Sequence, residues 1–306
     1  MPESLPSEVS NRIRECQQAL IERAKSIFGE DSITERIEQA FMAVPRHRFV
    51  PKYLHGESGL WSDIDSQLLD THLDSLYADQ PLCILQNAQG IAVSTISQPS
   101  LVLEMLHLLD LKPNQKIFEL GGGSGWNAAL IGKLVEPHGQ VFSTEIEDTL
   151  VENARKAIED LAINNVTILA GDASRGLPEE APFDRCVFTA SAKELPIAFF
   201  DQVKDDGILL FVFKFLERED ILTVLRKKGD YFQSELHFPC RFVPLHGSKI
   251  ERLDTRIGNS AKWSEFLSHD LEELSLSFYR RGEAPSPEDN RWVFDRGDCS
   301  CVWEVA

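Results

Sequence analysis

Apolar positions near the start of the chain recur at helical spacing. Across residues 7–28, Val9, Ile13, Cys16, Leu20, Ala24 and Ile27 return every three or four residues, which places one apolar stripe on a helix. Gly29 follows as a stop. A second helix is expected after Ser32, read as its N-cap, running to about Val44, where Pro45 ends it. The next stretch, "VPRHRFVPKY", shows no such period and reads as an extended, basic and aromatic segment. Residues 57–80 carry Glu57, Asp63, Asp65, Asp70, Asp74 and Asp79 without a Lys or Arg. This reads as a solvated loop with a short helix, because the ligand spacing of a calcium loop is absent.

From Ser100 onward the pattern alternates. A helix at 99–110 precedes a strand at 116–120, "KIFEL", and then a glycine loop with its helix at 121–135. The strand "QVFSTEI", a helix at 147–161, the strands "NVTILAG" and "DRCVFTA", a helix at 194–204 and the strand "GILLFVF" complete the run. Such a β-α-β-α succession predicts a parallel sheet covered on both faces. Beyond Glu219 the rhythm changes. "ILTVLRKK-GD-YFQSELHFPCRFVPL" reads as two long strands around a Lys-Gly-Asp turn, a hairpin that would close one sheet edge. Within 250–306, "WSEFLSHDLEELSL" reads as helical, "GEAPSPEDN" as a polar loop and "RWVFDRGDCSCVWEV" as another hairpin.

Composition narrows the function classes. The chain has 306 residues, 42% hydrophobic and 26% charged, enough for a sizeable core. Its net charge of −18 repels phosphate backbones and anionic lipid, so neither nucleic acid nor a membrane is an expected partner. "MPESLPSEVSNRIREC" has no basic stretch leading into an apolar core, so no secretory signal is expected, and no apolar run is long enough to span a bilayer. The six scattered cysteines are then expected to be reduced, in the cytoplasm. Cys299 and Cys301 share a strand face, but no second Cys or His pair completes a tetrahedral metal site. No metal is expected.

Candidate chemistry gathers at the glycine loop. "IFELGGGSGWNAALIGKLV" puts Glu119 near a strand end and Gly121, Gly123 and Gly125 in the turn before an apolar helix. Glycines there admit a ligand to bare backbone, and the helix start supplies free N–H donors. The even Glu-x-Gly-x-Gly-x-Gly spacing differs from the Gly-x-Gly-x-x-Gly of dinucleotide binders. Glu145 ends the next strand, 20 residues past Gly125, where an acid can take both hydroxyls of a ribose. Asp172 in "GDAS" follows the third strand, where a carboxylate can accept from an adenine amino group. Three acids at successive strand ends favour an amino-acid-bearing adenosine ligand, S-adenosylmethionine, over a dinucleotide.

Upstream, "STISQPSLV" sets Ser94, Thr95 and Ser97 before an apolar helix. Pattern alone leaves two readings open. Ser94 or Ser97 caps the helix that begins near Pro99, or Ser97 meets the ligand of the glycine loop.

Several segments now carry a resemblance. "VPRHRFVP", "YADQPL", "TISQP", "FELGGGSGWNAAL", "NVTILAGDASRGLPEEAPFD" and "RFVPLHG" occur in this order. Together, over roughly residues 8–247, they resemble the protein-L-isoaspartate O-methyltransferase family. The resemblance implies an α/β fold of the Rossmann-like class I S-adenosylmethionine-dependent methyltransferases: a mostly parallel sheet with helices on both faces and a C-terminal antiparallel hairpin. It implies S-adenosyl-L-methionine as cofactor and a peptide or protein bearing isoaspartate as substrate. It makes Ser97 the central catalytic residue, between donor and substrate. It assigns donor binding to Thr95, Ile96, Ser97, Glu119, Gly121, Gly123, Gly125, Glu145, Asp172 and Ala173. Arg46 and His47, from a basic cluster in an acidic chain, are expected to help bind an acidic peptide, or else to complement the helix end at Val44.

The sequence departs from that pattern in places. "CILQNAQGIAVS" stands where the family has a short glycine-glutamine turn, and reads as an inserted hairpin. Ala173 replaces the last glycine of Gly-Asp-Gly, and one strand ends in "FVFK". The expected organisation is a methyltransferase domain over 1–247, divided into a substrate-side part (1–98) and a cofactor-binding core (99–247), with an extension over 248–306. Two alternatives stay open: the same chemistry redirected to another carboxylate, and a cofactor-binding adaptor that recruits a partner through its extension.

Overall fold

The N-terminal helix forms as expected, but its buried stripe is narrower than the period suggests: Ile13, Leu20 and Ala24 are buried, Val9 and Cys16 are half-buried, and Ile27 is 45% exposed. Helix α1 (Ser7–Phe28) buries Ile13, Gln17, Leu20, Ile21 and Ala24 and stops at Gly29, whose φ of +106° a side chain would resist. The computed structural model describes residues 5–56, 58–65, 67–214, 220–245, 274–288 and 291–305. They fall into two compact units, one of residues 1–115 and 122–171, the other of 116–121 and 172–306.

In the first unit, helix α2 (Glu35–Ala43) starts after Thr34 rather than Ser32. Residues 30–32 close a 3-10 turn in which the Ser32 hydroxyl donates to the Gly29 carbonyl at 2.7 Å, and that turn moves the N-cap position on to Thr34. Gln17 of α1 donates to the Phe41 carbonyl at 2.7 Å and ties the two helices together. Residues 46–49 form a second 3-10 turn instead of an extended segment. Arg46, His47 and Phe49 all point inward, whereas neighbours in an extended strand face opposite ways.

The acidic stretch holds two elements of its own. Strand β2 (Trp61–Asp63) pairs antiparallel with β1 (Lys52–Leu54), and helix α3 (Leu69–Leu76) buries Leu69, Leu73 and Leu76. Arg12 of α1 bridges Asp70 and Asp74 on its outer face. The inserted segment is the hairpin expected of it, β3 (Leu82–Gln86) with β4 (Ala92–Ile96). Helix α4 (Pro99–Leu108) follows, with proline in its first turn. Strand β5 (Lys116–Leu120) belongs to the second unit. The first resumes with α5 (Trp126–Val135), β6 (Gln140–Glu145), α6 (Asp148–Asp160) and β7 (Val166–Ala170). β6 and β7 run parallel, from Val141 beside Val166 to Glu145 beside Ala170.

One buried acid in α4 makes stability depend on pH. Glu104 is 8% exposed, and its Oε2 has no partner among the described residues. Burial pushes its carboxyl up from 4.5 to about 7. Between those values the folded chain holds the proton more tightly than the unfolded one, so this group's contribution to stability falls as pH rises from 4.5 through 7. Glu104→Gln is therefore expected to raise the unfolding temperature at pH 8 by about 1–3 °C and to change it little at pH 5, as calorimetry would show.

In the second unit the strand order is β13-β14-β12-β11-β10-β9-β8-β5. β5 is parallel to β8 (Phe183–Phe188), and β8 to β9 (Val203–Phe213). The remaining strands, β10 (Asp220–Lys228), β11 (Tyr231–Cys240), β12 (Leu274–Arg280), β13 (Arg291–Arg296) and β14 (Cys299–Val305), pair antiparallel. Phe118, Phe183, Phe188, Phe199, Phe211 and Phe278 meet at centroid distances of 4.8–5.8 Å and form its aromatic core.

Three expectations change here. The helix expected at 194–204 is only α7 (Ala198–Gln202), because Val203 already pairs with Phe183 and opens β9. The β10–β11 hairpin forms but closes no edge: β12 pairs with β11, and β13 is the edge strand. Of the helix expected over 263–276, residues 274–276 are strand, with Leu274, Leu276 and Phe278 buried at a period of two. The rest of that segment lies outside the described residues. Cys299 and Cys301 share one buried face as free thiols, and burial pushes the first up to about 12. Among the described residues no cluster of His, Cys, Asp or Glu could hold a metal ion.

Candidate active site

Strand β4 delivers Thr95 and Ile96 to the segment that joins it to α4. Thr95 is half-buried, Ile96 is buried, and Ser97 is half-buried just beyond the strand end. Neither Ser94 nor Ser97 caps α4. The cap comes from Asp79, whose carboxylate accepts from the Ser100 N–H at 2.9 Å, from its hydroxyl at 2.9 Å and from the Gln98 amide at 3.1 Å. Among the described residues the Ser97 hydroxyl has no hydrogen-bond partner.

Arg46 and His47 are not placed as surface cations for a peptide. Arg46 is 1% exposed, and its guanidinium donates to the carbonyls of Leu76 (2.6 Å), Ala78 (3.4 Å), Gln80 (3.0 Å), Ile96 (3.2 Å) and Ser97 (2.9 Å). Burial lowers it to about 9, which leaves it charged at neutral pH. His47 is buried with Nδ1 2.8 Å from the Tyr77 hydroxyl, and burial lowers it to about 4, so the ring is neutral. Nor do these two complement the helix end at Val44. The reason is packing: a residue with five inward-facing carbonyls to satisfy is worth more inside than at the surface.

The glycine loop takes the form its composition predicts. Gly121, Gly123 and Gly125 have φ of +91°, +52° and +82°. A Cβ on Gly125 would lie 2.9 Å from that of Ala154 in α6, so a side chain there meets both strain and a wall. Glu145, 7% exposed, reaches back to the loop. It accepts from the Gly123 N–H at 2.7 Å and from those of Ile146 and Glu147 at 2.8 and 2.9 Å. Trp126, first in α5, is 2% exposed; its indole N–H donates to the Val44 carbonyl at 3.1 Å, and the Arg46 guanidinium lies over its ring at 5.5 Å.

In the second unit Glu119 is fully buried in β5. The Thr189 hydroxyl donates to the carbonyls of Leu120 and Gly121. Asp172 accepts from the Ser174 N–H at 2.9 Å and caps a short 3-10 turn that contains the buried Ala173. In the first unit, the positive-φ Gly123 and Gly125, the start of α5 and the buried Glu145 carboxylate make a set suited to a polar nucleoside.

Residues 16–250 match the family described as protein-L-isoaspartate(D-aspartate) O-methyltransferase. The chain belongs to that family. It is 32% identical over 237 residues to the protein-L-isoaspartate O-methyltransferase of Methanopyrus kandleri, covering 77% of this chain and 93% of the relative. To the enzyme of that name from Fervidobacterium nodosum it is 36% identical over 213 residues, covering 70% and 94%. A solved protein-L-isoaspartate O-methyltransferase shares the fold with a TM-score of 0.66 at 23% identity, covering 95% of this chain and 88% of that one. Coverage of 95% cannot be reached without part of residues 248–306, so the shared fold runs beyond the segment that the resemblance marked. A Plasmodium falciparum β-aspartate methyltransferase, solved with S-adenosyl-L-homocysteine, aligns with a TM-score of 0.55 at 22% identity, covering 75% and 97%. The methyl donor of this isoaspartate methyltransferase family member is S-adenosylmethionine, and its fold is that of the α/β methyltransferases.

The sequence carries no clear signal for the contacts of Asp79 and Trp126. Asp79 was visible only as one more acid in an acidic stretch, though "YADQPL" was already a recognised segment. Trp126 read as an apolar residue opening a helix, and nothing local signalled its bond to Val44.

Proposed function

We infer that this isoaspartate methyltransferase family member methylates the free carboxylate of L-isoaspartyl residues in damaged proteins or peptides, with Ser97 touching the substrate carboxylate. The observation that carries the role of Ser97 is its half-buried hydroxyl, left without a partner because Asp79 has taken the helix cap. A carboxylate with a pKa of about 4 is already anionic at neutral pH, so no general base is needed. Bound S-adenosylmethionine supplies an electrophilic methyl on sulfur: one carboxylate oxygen forms the new C–O bond while the C–S bond breaks. The Ser97 hydroxyl donates to the substrate carboxylate and fixes its direction without taking its charge. Gly123, Gly125 and Glu145 are assigned to the donor, with the backbone at Thr95 and Ile96 beside it. Glu119, Gly121, Asp172 and Ala173 carry the family's donor-binding pattern and are proposed to serve the same molecule. Six free cysteines support action in the cytoplasm, and no described helix is long and apolar enough to cross a membrane.

The test is transfer of labelled methyl from S-adenosylmethionine to a peptide containing isoaspartate, beside its aspartate twin. Wild type is expected to label the isoaspartyl peptide alone, and Ser97→Ala to lower kcat by about 10- to 100-fold. A second reading is favoured by the β3–β4 hairpin that immediately precedes Ser97: the same chemistry directed to another carboxylate. Donor binding without methylation of either peptide would overturn isoaspartyl transfer, and labelling of other carboxylates would then separate that second reading from a cofactor-binding adaptor.

A further inference from the structure

We propose that Arg46 and Asp79 act together as positioning residues for Ser97, a two-sided clamp that sets where its hydroxyl points. The proposal rests on the reading of Ser97 given above. A free hydroxyl with no internal partner is aimed only by its own backbone and χ1, so whatever holds that backbone decides its direction.

Ser97 is held from both sides. On one side, a single Arg46 nitrogen, Nη2, donates to the carbonyls of Ile96 (3.2 Å), Ser97 (2.9 Å) and Gln80 (3.0 Å). On the other, the Asp79 carboxylate grips the N–H and hydroxyl of Ser100 and the side chain of Gln98. The two grips are joined through the chain, because Nη1 of Arg46 donates to the carbonyl of Ala78 (3.4 Å) while Nη2 takes that of Gln80, the two neighbours of Asp79. Segment 78–80 is thereby locked against segment 96–100, with Ser97 between the fixed points.

The chemistry of the residue pair suits this task. A planar guanidinium presents its donors in a fixed fork, so several carbonyls from different segments take defined places around it. A lysine would offer one compact charge at the end of a mobile stem and could not hold the same set. The ring of Trp126, over which the guanidinium lies at 5.5 Å, adds an attraction that helps hold that fork in place. Asp79 supplies two acceptor oxygens for three donors around Gln98 and Ser100, a charge-assisted cap stronger than one from a neutral side chain. A displacement of the reacting geometry by only 1 Å can cost about 100-fold in rate, so such a clamp matters to the reaction and not only to the fold.

The test is a double-mutant cycle on the full chain, with S-adenosylmethionine and the isoaspartyl peptide. Arg46→Lys, Ser97→Ala and their combination are compared for kcat and for the donor KM, and Asp79→Asn with its own Ser97→Ala combination forms a second cycle should Arg46→Lys fail to fold. Ser97→Ala keeps the carbonyl that Arg46 holds and deletes only the hydroxyl. Positioning therefore predicts that Arg46→Lys lowers kcat by about 10- to 100-fold alone, with less than about threefold change in donor KM. In the Ser97→Ala background it should lower kcat by less than about twofold more. Multiplying effects in both cycles would overturn the clamp and leave Arg46 and Asp79 as stabilisers of the fold. If Ser97→Ala by itself leaves kcat unchanged, the role of Ser97 fails first and the clamp with it, a result distinct from additivity with an impaired Ser97→Ala.

Discussion

Glu145→Ala is expected to lose donor binding, with affinity for S-adenosylmethionine or S-adenosylhomocysteine falling by more than about 100-fold, equivalent to about 3 kcal/mol. The backbone N–H groups of Gly123, Ile146 and Glu147 all donate to this one carboxylate, which is 7% exposed. Alanine leaves these part-buried groups without that acceptor, at a cost of about 1–3 kcal/mol for each one that water does not reach. The bond to Gly123 is the one that matters for the ligand, since it fixes a loop residue with φ of +52° against the end of β6. Without it the loop is free to leave the shape that admits a ligand to bare backbone, and the proposed partner of the ribose is gone as well. Titration calorimetry with S-adenosylhomocysteine measures the loss. Glu145→Gln keeps one oxygen, can still accept from Ile146 and Glu147, and should bind with intermediate affinity. Wild-type affinity in Glu145→Ala would refute both the loop argument and the assignment of Glu145 to the donor.

Trp126→Ala is expected to be the most damaging single change to stability, about 3–5 kcal/mol. Trp126 is among the largest fully buried side chains, set edge-on to Phe41 at a centroid distance of 5.8 Å. Its removal opens a cavity, leaves the Val44 carbonyl without the indole donor, and strips one face from the Arg46 guanidinium. Urea unfolding should show the midpoint lowered at unchanged slope, and the unfolding temperature should drop by roughly 10 °C. Trp126→Phe restores most of the volume but not the hydrogen bond, and is expected to recover about half of the loss. A stability loss of less than about 1 kcal/mol in Trp126→Ala would mean that this junction collapses around the gap.

The proposed site was legible to different depths. The glycines were readable because their need is local: Gly125 sits where backbone conformation and the nearness of Ala154 both demand a bare Cα. The strands and helices from Ser100 to Phe188 were readable for a similar reason, since side-chain period reports which face is buried. For Arg46 and His47, charge in a sequence suggests solvent, and only their surroundings reveal that carbonyls and a tyrosine hydroxyl receive them. Segment 274–276 was misjudged because Leu-Ser-Leu suits the end of a helix as well as a strand, and pairing with β14 decides between them.

By itself, the sequence determined the family, the alternation of strands and helices through the core, the turn chemistry of the glycine loop and the inserted hairpin before Ser97. The family rests on the order of motifs over roughly residues 8–247; each of the others follows from residues within a few positions of one another, where period, φ preference and capping act. Only the tertiary structure decided which residue caps α4, what holds the Ser97 carbonyl and where the indole of Trp126 finds its acceptor. Those partners stand 21, 51 and 82 positions apart along the chain. Over such separations no local propensity links two residues. What brings them together is the need of buried donors and acceptors to find one another once the apolar faces have packed.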